Sequence, residues 1–257
     1  MDRKHIAIQF YTLREQCRTL ADFTETCRKV REIGYEALQL SGVPRNVVSL
    51  KDAARICADH GLTICATHES PEDILERPEQ VVENLNEVGA TITAYPMPKG
   101  IDLNDAGQLA AFIDQLNQSG RVLAEQGKVL TYHNHHVEFM RVGGRLILDQ
   151  IFEDTNPAWV QGEPDTYWIQ YGGGDPVAWC RKLANRMPLI HLKDYRINAE
   201  RQIEFSEVGA GNLDFPAIID AARQSGCQWY IVEQDTCVND PFDAIRTSFD
   251  YLASVAL

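Results

Sequence analysis

Apolar, β-rich segments alternate with helical patterns eight times along the 257-residue chain, and this alternation restricts the fold more than any other feature. Strands are predicted at residues 6–11, 35–40, 62–67, 91–95, 129–133, 159–162, 189–192 and 229–232. Helices are predicted at residues 20–33, 50–60, 78–88, 105–126, 146–152, 176–186, 215–225 and 241–252. Such alternation is typical of parallel strands joined by right-handed crossovers.

The length and the number of repeats favour a closed (β/α)8 barrel, which typically folds as one unit of about 250 residues. We therefore predict an α/β protein in which residues 1–257 form a single TIM barrel domain. A doubly wound open sheet is the alternative, and it would usually carry a Gly-rich phosphate loop after its first strand. Residues 11–15 contain no glycine, and the later Gly172-Gly173-Gly174 lacks the required spacing, so we interpret it as a turn before Pro176.

Four polar stretches lie where predicted strands end, and they are the main candidates for chemistry. Side chains at the C-terminal ends of parallel barrel strands converge on one rim, even when they are far apart in sequence. A carboxylate at the end of a buried strand is costly unless it is paired or binds a cation. The stretches are Tyr132-His133-Asn134-His135, Glu163-Pro164-Asp165-Thr166, His191-Leu192-Lys193-Asp194 and Val232-Glu233-Gln234-Asp235.

Asp165, His191 and Glu233 follow three successive strands and are predicted to bind a common divalent metal ion. A set of imidazole and carboxylate ligands suits Mn²⁺, Co²⁺ or Zn²⁺. Taken alone, a histidine at a strand end is more often a structural residue that forms hydrogen bonds. The neighbouring carboxylates favour the ligand interpretation for His191.

The fifth strand carries three histidines in four residues, at His133, His135 and His136. Alternation places His133 and His135 on one face if the strand extends that far, which makes either of them a candidate fourth metal ligand. The alternative is a polar loop that is rich in histidine by chance. Glu138 is a candidate second catalytic carboxylate or, alternatively, a solvated loop residue.

Other polar and aromatic residues are predicted to bind the substrate from the same rim. His68 follows the third strand and could donate to a substrate hydroxyl, although a structural role is equally compatible with its position. Gln9 and Tyr11 point to the same side of the first strand, where they could bind hydroxyl groups or fill the barrel. The remaining candidates for substrate contact are Lys193 and Trp168.

The net charge of −13 and the absence of a basic stripe argue against nucleic acid as a partner. Seven scattered cysteines without a CxxC pair fit a reducing cytoplasm better than a disulfide framework. No apolar stretch is long enough to predict a membrane partner. The N-terminus lacks the long apolar region of a signal peptide, although a removed signal peptide would leave the same sequence. A homo-oligomer is compatible with all of these features.

Taken together, these motifs resemble the sugar phosphate isomerase/epimerase superfamily of xylose isomerase-like barrels, which includes ketose 3-epimerases and inosose dehydratases. The segment from Ile8 to Arg14, the His191 and Glu233 motifs and residues 209–215, Gly-Ala-Gly-Asn-Leu-Asp-Phe, carry the resemblance. It implies a metal held by a glutamate on the fifth strand together with Asp165, His191 and Glu233. The fifth-strand glutamate has no counterpart here, because His133 occupies about that position.

The leading hypothesis is therefore metal-assisted isomerisation or epimerisation of a sugar, keto-sugar or polyol. Glu233 would be the catalytic base, and Glu138 or His135 would replace the missing second proton-transfer group. Dehydration or lyase chemistry on a keto-inositol or 3-keto-glycoside is the first alternative, since it shares the initial proton abstraction. An apurinic endonuclease and a non-catalytic sugar-binding barrel are further alternatives.

Overall fold

A barrel of eight parallel strands forms the centre of the protein in the computed structural model, which describes residues 2–255. We number the barrel strands β1 to β8. They are β1 (Ile6–Gln9), β2 (Ala37–Leu40), β3 (Thr63–His68), β4 (Ile92–Tyr95), β5 (Val129–His133), β6 (Val160–Glu163), β7 (Leu189–Leu192) and β8 (Trp229–Val232). All eight predicted strands are present, and three of them have the predicted bounds.

Helices follow each strand and form the outer layer. They are α1 (Leu20–Ile33), α2 (Leu50–Asp59), α3 (Pro71–Glu76), α4 (Pro78–Val88), α5 (Ala106–Glu125), α6 (Ile147–Asp154), α7 (Thr166–Tyr171), α8 (Pro176–Lys182), α9 (Phe215–Gln224) and α10 (Pro241–Val255). Side chains cap several N-termini: Thr19 Oγ1 accepts from Asp22 N at α1, and Asp175 accepts from Val177 N beside Pro176 at α8. These caps satisfy donors that a helix leaves unpaired at its start.

Strand order in the sheet is sequential, from β6 back through β1 to β8 and β7. A single bridge between Asp165 and His191, in which His191 N donates to Pro164 O over 2.9 Å, joins the two ends. The prediction of an α/β (β/α)8 TIM barrel is confirmed. The extension of one domain over residues 1–257 stays a prediction, because Met1, Ala256 and Leu257 lie outside the described residues.

Several local elements differ from the prediction. Strand β1 ends at Gln9 rather than at Tyr11, because the 3-10 helix Phe10–Gln16 follows it directly. The helix that begins at Pro176 ends at Lys182, four residues earlier than predicted. The short helices α3 and α7 were not predicted, since six residues show too little periodicity. Two antiparallel hairpins were also missed, Arg141–Val142 with Arg145–Leu146 and Asp194–Ile197 with Ile203–Ser206.

The barrel interior is apolar at its N-terminal end and polar at its C-terminal end. Residues two positions apart on a strand face the same side. On β1, β2, β7 and β8 the inward-facing apolar residue is followed two positions later by a polar one. The apolar cluster of Ala7, Ala37, Leu189 and Ile231 therefore lies beneath a polar layer that contains Gln9, Gln39, His191 and Glu233. Among the described residues, none of the helices is long and apolar enough to cross a membrane.

Candidate active site

A cavity of about 490 Å³ opens at the C-terminal ends of the strands. It lies above the polar layer of the barrel, and the loops that follow the strands contribute to its walls, which is where TIM barrel enzymes have their active sites. The lining residues are Tyr11, Arg14, Ser41, His68, Pro96, Met97, His133, His135, Trp168, Lys193, Glu233, Asp235 and Thr236.

Asp165, His191 and Glu233 meet beside this cavity, where Glu233 lines it and the other two are fully buried behind it. His191 Nδ1 lies 2.9 Å from Glu233 Oε2 and 3.9 Å from Asp165 Oδ2. One ring nitrogen of His133 joins them, and the four ligand atoms all lie within 4.8 Å of one another. Two ligands on opposite sides of one divalent ion are separated by about 4–5 Å, so this spacing fits a shared ion. We call these four residues the upper group.

A second set of possible ligands lies deeper in the barrel and shares two histidines with the upper group. It consists of His68, His133, Glu163 and His191. Glu163 Oε2 lies 2.9 Å from His68 Nε2, and Glu163 Oε1 lies 3.0 Å from His191 Nε2. We call this set the lower group. His191 belongs to both groups. Its Nδ1 faces Asp165 and Glu233 of the upper group, and its Nε2 faces Glu163 of the lower group.

Two buried polar atoms of the upper group have no hydrogen-bond partner among the described residues, His133 Nδ1 and Asp165 Oδ2. The other oxygen of Asp165 is already used, because it accepts from Trp168 N over 2.9 Å at the start of α7. Buried polar atoms are nearly always paired in folded proteins. Asp165 Oδ2 has an ion-pair contact with Lys193 Nζ at 3.2 Å, and His133 Nδ1 lies 3.9 Å from Glu163 Oε2. Neither atom has a hydrogen bond in the part of the chain that the structure describes, so both fit a role as ligands of a divalent cation.

Lys193 places a buried ammonium beside the upper group. Its Nζ lies 3.2 Å from Asp165 Oδ2, 2.8 Å from Glu233 Oε2 and 2.9 Å from Asp235 Oδ1. Burial lowers the pKa of Lys193, but the three carboxylates outweigh burial and raise it, so the side chain stays charged. Lys193 therefore contacts two carboxylates that also belong to the upper group, those of Asp165 and Glu233. Its third ion-pair partner, Asp235, lies outside that group.

Opposite charges dominate the protonation states at the cavity floor. Burial lowers the pKa of His191, but Glu163 and Glu233 outweigh it and raise that pKa to about 10. Burial raises the pKa of Glu163, but His191 and His68 bring it down to about 2. Burial similarly raises the pKa of Glu233, yet Lys193 and His191 hold it well below its usual value. Both glutamates are therefore ionised at neutral pH, and Glu233 can accept a proton.

His135 lines the cavity beside His133, although strand β5 ends at His133. Burial and, to a smaller extent, the Lys193 ammonium lower the pKa of His135 to about 3, so its imidazole is neutral at pH 7. Its Nδ1 has no hydrogen-bond partner among the described residues, and its ring packs against Trp168 with centroids 5.3 Å apart.

Glu138 was expected to be a catalytic carboxylate near the substrate or a solvated loop residue, and its position in the structure corrects this expectation. The side chain is fully buried and does not line the cavity. Its carboxylate accepts from Tyr132 OH over 2.7 Å and from His135 N over 2.8 Å. A carboxylate held by these two donors fixes the backbone that carries His135, and it does not face the space where a substrate would bind.

The predicted substrate-binding residues separate into two sets. His68, Tyr11, Lys193 and Trp168 line the cavity. Gln9 does not, because it lies fully buried below the floor, where its Nε2 donates to Gln39 Oε1 over 3.0 Å. The position of Gln9 at the inward-facing end of β1 gives it a structural hydrogen bond in place of the predicted contact with substrate.

Sequence reasoning missed Gln39 and Glu163, which are fully buried beside His191. Both face inward on strands β2 and β6. The signal was present for Glu163, since it ends a strand as a carboxylate, but Asp165 in the same stretch drew the prediction. Gln39 gave no comparable signal, because a glutamine in an apolar strand is not a typical metal ligand.

A sequence profile described as xylose isomerase-like TIM barrel matches residues 27–255, which is most of the chain. The chain belongs to this family. The resemblance to sugar phosphate isomerases and epimerases noted from the sequence motifs is thereby confirmed. Relatives of this chain include proteins named inosose dehydratase and sugar phosphate isomerase/epimerase.

This chain spans about half the length of the curated relatives that it matches. An inosose dehydratase from Geobacillus thermodenitrificans is 28% identical over 157 residues, which cover 54% of this chain and 52% of the relative. A solved structure of a sugar phosphate isomerase/epimerase from Parabacteroides distasonis is 25% identical with a TM-score of 0.82 and 98% coverage of both chains. A xylose isomerase-like barrel from Mycobacterium smegmatis in complex with magnesium shares the fold at 16% identity, with a TM-score of 0.76 over 100% of this chain and 98% of its own.

Proposed function

We propose that this protein is a divalent-metal-dependent enzyme that removes a proton next to a carbonyl group of a sugar, keto-sugar or polyol. Isomerisation or epimerisation is the leading reaction. The observation that carries the proposal is the upper group, in which two carboxylates and two imidazoles bring ligand atoms within 4.8 Å of one another, with His133 and Glu233 lining the open cavity. The Mycobacterium smegmatis relative with magnesium supports a hard divalent ion, and Mn²⁺, Co²⁺ and Zn²⁺ suit the mixed ligands equally.

When bound, the ion would supply Lewis acidity to the carbonyl and hydroxyl oxygens of the substrate. His133, Asp165, His191 and Glu233 would hold it. The side chains of the cavity perform the remaining work. Glu233 is ionised and faces the cavity, so it takes the proton from the carbon next to the carbonyl. Lys193 keeps its charge and stabilises the oxygen on which negative charge develops.

His135 is the second proton-transfer group in this proposal. Its imidazole is neutral at pH 7, so it can accept a proton, and its ring lies on the cavity wall next to Trp168. Glu233 keeps the abstracted proton in an epimerisation, in which the opposite group delivers a different proton to the other side of the same carbon. Return of the abstracted proton from Glu233 to the neighbouring carbon gives an isomer. His68, Tyr11 and Trp168 line the same cavity and are proposed to bind the substrate hydroxyls and ring.

A metal-dependent dehydratase is the second candidate. The curated relatives are named inosose dehydratases, and β5 offers His133 where the resemblance implies a glutamate. A substrate with a hydroxyl or glycosidic oxygen on the next carbon would lose it after the same proton abstraction. This proposal therefore differs from the first in the fate of the carbanion and not in the catalytic base.

The two candidates are separated by one experiment. The protein is loaded with Mn²⁺, Co²⁺ or Zn²⁺ in turn and incubated in deuterium oxide with a panel of ketoses, keto-inositols and 3-keto-glycosides. Deuterium in a carbon-bound position of recovered sugars supports isomerase or epimerase chemistry, and an unsaturated ketone that absorbs in the ultraviolet supports the dehydratase. The absence of both deuterium incorporation and an unsaturated product with every metal contradicts both.

A further inference from the structure

His191 contacts polar groups on both sides of its ring, and these contacts determine how it can bind a metal. Its Nδ1 faces the upper group, 2.9 Å from Glu233 Oε2. Its Nε2 faces the barrel interior, 2.6 Å from Gln39 Oε1 and 3.0 Å from Glu163 Oε1. An imidazole that binds a metal through one nitrogen carries its proton on the other, so the question is which nitrogen is free.

The orientation of Gln39 answers that question. Gln39 Nε2 donates to Glu163 Oε1 over 2.7 Å, while Gln39 Oε1 accepts from Gln9 Nε2 over 3.0 Å. A reversed amide would place its oxygen against the Glu163 carboxylate, where two acceptors would face each other. The amide oxygen therefore faces His191 Nε2, and an oxygen without a proton requires that this nitrogen be the donor.

Glu163 holds the same nitrogen from a second direction and is itself fixed. Its Oε1 accepts a hydrogen bond from Gln39 Nε2 and also faces His191 Nε2, while its Oε2 lies 2.9 Å from His68 Nε2. The side chain is fully buried, so no solvent competes for these bonds. Gln39 and Glu163 project inward from β2 and β6, whose backbones are fixed in the sheet.

We propose that Gln39 and Glu163 are positioning residues that keep the proton of His191 on Nε2, so that Nδ1 is the nitrogen that binds the metal ion. This inference rests on the proposed metal dependence. It makes the upper group the ion site and gives the lower group a supporting role, because an ion bound to His191 Nε2 would have to displace the Gln39 amide. Metal-binding histidines are commonly oriented by such partners, and loss of one typically weakens metal binding about 10- to 100-fold.

The test compares variants that remove or keep the acceptor oxygen. Gln39→Met and Glu163→Leu remove it, whereas Glu163→Gln keeps an oxygen that can accept from His191. Thr131→Val is the matched control, since Thr131 is a buried residue of β5 whose hydroxyl donates only to Thr93 O, 3.1 Å away. Thermal unfolding verifies that each variant is folded, and Gln39→Met decides the outcome if Glu163→Leu is not.

Two readouts are used, neither of which depends on turnover. Calorimetry with Mn²⁺ is expected to show affinity lowered about 10- to 100-fold in Gln39→Met and Glu163→Leu, a smaller loss in Glu163→Gln, and no change in Thr131→Val. Long-range ¹⁵N NMR of the Zn²⁺-loaded wild type is expected to show a proton on His191 Nε2. The variants that lack an acceptor are expected to show a broadened or shifted Nε2 signal.

The outcomes separate this inference from the proposed function. A wild type that binds no Mn²⁺ overturns the proposed function together with the inference. A wild type that binds Mn²⁺ normally, but whose His191 binds Zn²⁺ through Nε2, overturns the inference alone. The same conclusion follows if Gln39→Met binds Mn²⁺ as tightly as Thr131→Val does.

Discussion

Replacement of Lys193 by methionine tests the electrostatics of the cavity floor. The Lys193 side chain is 1% exposed, and its ammonium group lies within 3.2 Å of oxygens of Asp165, Glu233 and Asp235. Methionine keeps most of the volume and removes the charge. The three carboxylates then lose their nearest cation in the metal-free protein, and Asp165 and Glu233 repel each other.

The expected magnitude follows from burial. Removal of one partner from a buried ion pair costs about 3–5 kcal/mol of unfolding free energy, because the other charge remains buried without compensation. At roughly 2–4 °C per kcal/mol for a protein of this size, the melting temperature should fall by about 6–20 °C. The matched control is Lys182→Met. Lys182 is 40% exposed and also contacts two carboxylates, Asp149 and Glu153, so its loss should cost no more than about 1 kcal/mol.

Thermal unfolding followed by circular dichroism, first in EDTA and then with saturating Mn²⁺, measures both effects. Mn²⁺ should stabilise Lys193→Met more than the wild type. In the variant the ion supplies the positive charge that Asp165 and Glu233 have lost, whereas in the wild type it competes with the Lys193 ammonium for the same two carboxylates. Equal losses for Lys193→Met and Lys182→Met in EDTA would refute the account of Lys193 as the counter-ion of the site. An equal rise in melting temperature with Mn²⁺ in variant and wild type would refute the competition between the ion and Lys193 for Asp165 and Glu233.

Three further predictions follow from the structure. Glu233→Gln should lower solvent deuterium exchange by at least about 100-fold in an otherwise folded protein, and undiminished exchange measured by NMR would eliminate Glu233 as the base. Because the pKa of metal-free His191 is raised to about 10, Mn²⁺ must displace a proton. Affinity should therefore rise between pH 6 and 9, with release of about one proton in calorimetry performed in two buffers, and pH-independent binding would contradict this. Gly120→Ala should cost about 1–3 kcal/mol in denaturant unfolding, because the added Cβ would lie 2.5 Å from Trp159 O. Gly107→Ala in the same helix should change stability by less than about 1 kcal/mol, and similar effects at both positions would contradict the packing argument.

Much of the fold was predictable because local patterns and global architecture agree. The strand at Val129–His133 is apolar and β-rich, and the helix at Leu20–Ile33 has a capping threonine before it and glycine after it. Short elements escaped prediction, since six residues such as Thr166–Tyr171 span too few turns to show a period.

The glycine triplet shows what local pattern cannot convey. Gly172 and Gly174 were interpreted as part of a turn, and the turn is present, with Gly173 at a φ of 84°. The structure adds a packing reason. A Cβ on Gly172 or Gly174 would lie 2.4 or 2.6 Å from the ring of Phe139, which is more than 30 residues away in sequence.

The sequence by itself determined the alternation of strands and helices, and with it the rim to which Asp165, His191 and Glu233 belong. Those residues could be found because a charged group at the end of an apolar strand is conspicuous without any knowledge of its neighbours. Only the tertiary structure decided that Glu138 does not line the cavity and instead accepts a hydrogen bond from the backbone of His135. It also decided that Gln39 and Glu163 surround one nitrogen of His191. Hydrogen bonds between strands depend on barrel closure and on side-chain direction, and neither is encoded in the residues within a single segment.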